Sequence, residues 1–129
     1  SYNANPESMK AALKTLSLLA QESGGNSWAF LGKMHELGPD EAVMHQDIAT
    51  VADQLGVDHL VAIGERNYLA SPNSGKTTIH FVSDLQSAQK FFNEINSGDA
   101  VLIKASRAEN LDKLAEELYI ELKSREAEE

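Results

Sequence analysis

Residues 71–82 read Ser-Pro-Asn-Ser-Gly-Lys-Thr-Thr-Ile-His-Phe-Val, and Gly75-Lys76-Thr77 has the composition that ends a phosphate-cradling loop. Such a loop needs another glycine about five positions before the triplet, a strand ahead of it and a helix behind it, so that free helix amides meet the phosphates. Ala70 stands at the upstream position and the β-rich Ile79-His80-Phe81-Val82 follows. The triplet therefore reads as a loop entering a strand. The histidines at 35, 45, 59 and 80 lack the paired spacing of a zinc site. His59 and His80 fall at or inside strands and read as packed or edge residues. His35, on a loop, and His45, on the helix after it, keep a functional candidacy. No serine sits in a nucleophile elbow. Asp40-Glu41 and Glu116-Glu117 are explained by a helix start and a solvated face. Two stretches remain. Tyr2, Asn3 and Asn5 precede a helix N-terminus, where an aromatic ring and side-chain amides suit a nucleotide base and ribose; Asn5 also suits a helix cap. Lys104, Ser106 and Arg107 follow a strand, and the Arg107 guanidinium can hold a carboxylate or phosphate bidentately.

Alternating helices and strands must position these groups. Asn5 and Pro6 open a helix carrying Met9, Ala12, Leu13, Leu16, Leu19 and Ala20, closed at Gly24-Gly25. Ser-Trp-Ala-Phe-Leu-Gly (27–32) reads as a strand with Trp28 in the core. A helix from about Asp40 presents Met44, Ile48, Val51, Ala52 and Leu55 and stops at Gly56. Residues 59–64 form a second strand, Arg66–Ala70 a short helical turn, and 78–82 a third strand. Asp84 caps a helix with Leu85, Ala88, Phe91, Phe92 and Ile95. Residues 100–105 form a fourth strand, and a last helix carries Leu111, Leu114, Leu118 and Leu122. Short continuous apolar strands alternating with helices predict a Rossmann-like three-layer α/β/α domain with a mostly parallel sheet. In such sheets ligands collect at the carboxyl edge, outside the ends of the strands.

With 129 residues the chain suits one domain, expected over 1–123 with a charged tail at 124–129. The absence of cysteine excludes disulfides and thiolate–metal sites and fits a reducing cytoplasm. A net charge of −9 argues against nucleic-acid binding, and no apolar run approaches the length of a membrane span. The start on Ser-Tyr-Asn-Ala-Asn-Pro, with a helix that no strand precedes, leads to the expectation of a piece excised from a longer chain.

The order SYNANPESMKAAL, LGKMHELG, a downstream His45 and GDAVLIKASRAENLDKL resembles the C-terminal domain of the Mur ligases, from Ser1 to about Leu118. The likeness is greatest to the members that join D-alanyl-D-alanine to UDP-N-acetylmuramoyl-tripeptide in bacterial peptidoglycan precursor synthesis. The resemblance implies a three-domain cytoplasmic enzyme using ATP and Mg2+. The phosphate loop, the Mg2+ ligands and a modified lysine would lie in the central domain, so no catalytic residue is expected in this one. The C-terminal domain closes over the nucleotide, and alone it should be catalytically silent. By position, Tyr2, Asn3 and Asn5 match the motif against the adenosine of ATP. Lys104, Ser106 and Arg107 match a stretch facing the cleft, expected to meet the acceptor dipeptide carboxylate or the substrate. Met34, Glu36 and Leu37 match a cleft loop, and His45 a family histidine. Two positions depart from the pattern: Lys33 stands where the family has aspartate, and Ala105 where it has glycine. The alternative is a stand-alone doubly wound binding or receiver-like signalling domain. That reading needs an acid cluster and an acceptor aspartate at a strand end, where this chain has Gly32 and Gly64.

Overall fold

The computed structural model describes residues 5–70 and 75–104. Helix α1 (Pro6–Ser23) starts on a capping box: Asn5 Oδ1 accepts the Ser8 N–H at 2.9 Å while Ser8 Oγ accepts the Asn5 N–H at 3.2 Å. Two otherwise orphaned amides are thereby satisfied. Strand β1 (Ser27–Leu31) is buried at every residue, as its unbroken apolar run requires. Helix α2 (Glu41–Gln54) follows a one-turn 3-10 segment and leads to β2 (His59–Ile63). A 3-10 segment (Arg66–Ala70), β3 (Thr78–Val82), helix α3 (Leu85–Ala88), a 3-10 segment (Gln89–Glu94) and β4 (Ala100–Lys104) complete the described chain.

The four strands form one sheet in the order β3-β2-β1-β4, and all three pairings are parallel. Alternate residues of the central strands face opposite sides. Ala29, Leu31, Leu60 and Ala62 pack with Met9, Leu13 and Leu16 of α1 and with Ile48, Ala49 and Ala52 of α2. Trp28, Phe30, Val61 and Ile63 pack on the other side with Ala88, Phe91, Phe92 and Ile95. Both faces of the parallel sheet are thus covered, as the alternating sequence predicts.

Two details differ from the sequence reading. Leu19 is 52% exposed, and Ser17 occupies the buried stripe instead. Ser17 Oγ donates to the Leu55 carbonyl at 2.9 Å, tying the C-terminal half of α1 to the end of α2. The helix from Asp84 is α-helical for only four residues and then tightens to 3-10. In a 3-10 segment residues three apart lie on one stripe. That spacing joins Ala88 to Phe91 and Phe92 to Ile95, and it lets two adjacent phenylalanines reach the sheet. Trp28 is core, 1% exposed, with its indole N–H donated to Asp99 at 3.2 Å. The last helix and the tail at 124–129 lie outside the described residues.

Candidate functional site

From β1 the chain adds β2 and β3 on one side and β4 on the other, so the strand order reverses at the β1–β4 pair. Leu31 pairs with Lys104, and the Gly32 N–H donates to the Lys104 carbonyl at 3.1 Å. Lys104 therefore sits directly beside the start of the loop 32–37. Helix α1 begins at the same end of the molecule. Its C-terminal end meets the residues ahead of β4, through Ser23 Oγ and the Gly98 carbonyl at 2.5 Å. Lys10 pairs with Asp47 at 2.9 Å, and Ser17 with Leu55, so α1 and α2 run side by side in the same direction. Helix α2 starts from the carboxyl end of β1, which puts Asn5 toward that edge too. Tyr2, Asn3, Ser106 and Arg107 lie outside the described residues.

The loop after β1 is fastened from beneath. His45 is completely buried. Its Nε2 accepts the Met34 N–H at 2.9 Å, so the proton resides on Nδ1, which donates to the Glu41 carbonyl at 2.7 Å. Tyr68, also completely buried, packs edge-on against that imidazole and donates its hydroxyl to the Gly32 carbonyl at 2.7 Å. Glu65 lies behind, with Oε1 at 4.0 Å from His45 Nε2 and Oε2 accepting the Asn67 N–H at 3.0 Å. His45 is thus a support under the edge, with no face toward solvent. Met34 is likewise buried and its side chain belongs to the core. Glu36 is exposed at the loop's turn with φ of 61°, the left-handed region that side-chain-bearing residues seldom adopt.

Lys33, where an aspartate was expected, has its charge matched locally. Its Nζ lies 2.8 Å from Glu41 Oε1, and this hydrogen bond holds the Glu41 carboxyl below its ordinary value. The cations of this edge among the described residues are Lys33, Arg66 and Lys104; Arg66 lies over the Phe81 ring at 4.2 Å. Such an edge can receive carboxylate or phosphate oxygens, but it brings no nucleophile with an activating base. Among the described residues no three His, Asp or Glu side chains group to hold a metal ion.

The Gly75-Lys76-Thr77 triplet lies at the other end of the strands. The amides of Lys76 and Thr77 donate to Asp53 Oδ1 at 3.0 and 2.9 Å, and Thr77 Oγ1 donates to the Val57 carbonyl at 2.6 Å. An internal carboxylate occupies the amides that a phosphate would need. Asp53, Tyr68 and Glu65 escaped the sequence reading. Asp53 and Tyr68 work through partners distant in sequence, and only Tyr68, an aromatic directly after the polar run 64–67, carries a local hint.

The profile described as "Mur ligase, glutamate ligase domain" matches residues 1–107. The chain is 34% identical to the UDP-N-acetylmuramoyl-tripeptide–D-alanyl-D-alanine ligase of Mycobacterium tuberculosis, covering 91% of this chain and 27% of that protein. It is 29% identical to the Bacillus subtilis enzyme of the same name, over 91% of this chain and 26% of that one. Among solved structures it superposes on a MurF ligase from Thermotoga maritima in complex with ADP, with a TM-score of 0.75 and 26% identity. That match covers 97% of this chain and 28% of the other. MurF from Acinetobacter baumannii gives a TM-score of 0.73 at 28% identity, over 92% of this chain and 26% of that one. The chain thus spans about a quarter of the length of the relatives it matches. With a profile covering most of its length and a sheet that superposes on these structures, the chain belongs to the Mur ligase family, as its glutamate ligase domain.

Proposed function

We propose that this chain is the C-terminal domain of an ATP-dependent ligase that joins D-alanyl-D-alanine to UDP-N-acetylmuramoyl-tripeptide. The observation that carries the reading is the convergence of Asn5 and Lys104 on one carboxyl edge, beside the supported loop 32–37. In this reading Tyr2, Asn3 and Asn5 meet the adenosine of ATP. Lys104, Ser106 and Arg107 meet the carboxylate of the incoming dipeptide or the nucleotide-linked substrate. Met34 and His45 act from beneath by holding the backbone of the loop, while Glu36 faces the cleft. ATP phosphorylates the tripeptide carboxylate, and the dipeptide amine attacks the acyl phosphate. This domain contributes positioning and electrostatics to those steps; the phosphate loop and the Mg2+ ligands belong to the central domain, and the reaction to the bacterial cytoplasm.

The test uses the enzyme in which this domain is joined to its central and N-terminal partners. Arg107→Ala should raise KM for D-alanyl-D-alanine by about tenfold to a hundredfold, the scale of a charge-assisted bidentate contact. Asn5→Ser keeps a helix cap but removes the amide, and it should raise KM for ATP. Wild-type constants in both variants would remove the assignment. The isolated chain should bind ATP analogues feebly by calorimetry and make no product.

A further inference from the structure

His59 opens β2 and His80 lies in the middle of β3, 21 positions later. Nothing in that spacing marks them as a pair. The parallel register aligns His59 with Thr78 and Val61 with His80, so the two imidazoles sit on neighbouring strands, two positions out of step, on the same sheet face. His59 Nδ1 and His80 Nε2 are 3.2 Å apart. Both rings are clamped: His59 stacks on Trp28 at 4.0 Å between centroids, and His80 lies against Phe91 at 4.6 Å. Trp28 is itself fixed through its bond to Asp99. The pair faces the α3 side near the amino end of the strands, away from Lys104 and the loop 32–37.

We propose that His59 and His80 form a two-imidazole site for a borderline divalent transition metal, with Zn2+ as the reference ion. Two nitrogens bound to one zinc at about 2.0–2.1 Å in tetrahedral array stand about 3.3 Å apart, close to the separation found here. Imidazole is the ligand type such ions prefer, whereas Mg2+ demands oxygen donors. Clamped rings lose little freedom on binding, which favours a site with only two protein ligands. Both partners are half-buried, so solvent reaches the site and the remaining coordination positions take water or a ligand from elsewhere. Glu94 and Lys90, from the 3-10 segment packed on this face, bring one charge of each sign near His80. The site does not depend on the ligase reading.

Zinc chloride titrated into the 129-residue chain should bind one equivalent by calorimetry, with Mg2+ showing no competing heat. Side-chain nitrogen resonances of His59 and His80 should move together and return on chelation. His59→Gln and His80→Gln should each weaken zinc at least about tenfold, the lower end of what a metal site loses when its supporting residues change. Exposed His35→Gln should leave the affinity unchanged, and amide spectra of all three variants report that the fold is intact. Unaltered affinity in both strand variants, zinc shifts confined to His35 or the acidic C-terminal residues, or no shift at millimolar zinc would overturn the site and leave a hydrogen-bonded imidazole pair.

Discussion

His45 shows how much a single buried side chain can decide. Both ring nitrogens are occupied, one by the Met34 N–H and the other by the Glu41 carbonyl. Only the neutral ring with its proton on Nδ1 satisfies both. His45→Ala would orphan the buried Met34 N–H, while the Glu41 carbonyl keeps its bond within the helix, and stability should fall by about 1–3 kcal/mol in urea unfolding. Tyr68→Phe removes only the hydroxyl that meets Gly32 and should cost about 1 kcal/mol by the same measurement. Asp84 gives a pH-dependent prediction. Its carboxylate accepts the Ser87 N–H at 2.8 Å, and that backbone bond, reinforced by the Ser87 side chain, holds its pKa below the ordinary 3.8. A depressed folded value means the unfolded chain binds the proton first as pH falls. The contribution is therefore complete above about pH 4–5 and is lost as pH drops through the folded value. Urea unfolding between pH 2 and pH 6 should show this loss, and Asp84→Asn, which retains a cap, should flatten that part of the profile.

At the scale of elements, the tightest constraint is where α1 turns into β1. Gly24 closes the helix in the left-handed conformation with φ of 78°. Gly25 then passes so near the Gly98 carbonyl that a Cβ there would meet its oxygen at 2.2 Å. That oxygen, the Gly98 carbonyl carbon and the Asp99 nitrogen are all backbone atoms, so none can swing aside. Gly25→Ala should separate the starts of β1 and β4 and lower stability by about 2–4 kcal/mol, the cost of overpacking plus lost ladder bonds. Faster amide exchange at Asn26 and Ala100, which are bonded across this junction, would identify the site of damage. Unchanged exchange at both residues would rule out this account of the turn. The loop into β3 follows another principle: Asp53 reaches from the last turn of α2 to hold the amides of Lys76 and Thr77. An element's entry is there set by a side chain from a different layer.

At the scale of the whole molecule, the strands of one sheet serve two cores. Phe30 points to the α3 side and its neighbours Ala29 and Leu31 to the α1–α2 side. Truncating Phe30 to alanine should cost about 3–5 kcal/mol and lower amide protection in α1 as much as in the 3-10 segment, because the faces share a backbone. Loss of protection on one face alone would mean the layers unfold separately. What could be read from residue order was whatever neighbours in the chain decide together. The Asn5 cap with Pro6, the continuous apolar strands, the Gly24 and Gly56 stops and the motifs of the ligase resemblance are all such local signals. They specified a parallel three-layer domain and directed attention to Asn5 and Lys104. Pairings between layers were invisible because strand register and helix placement set them: Asp53 beneath the glycine-lysine-threonine turn, His45 and Tyr68 beneath the loop, His59 against His80. A hydrogen bond depends on position to within fractions of an ångström, and only the packed sheet supplies that for residues far apart along the chain.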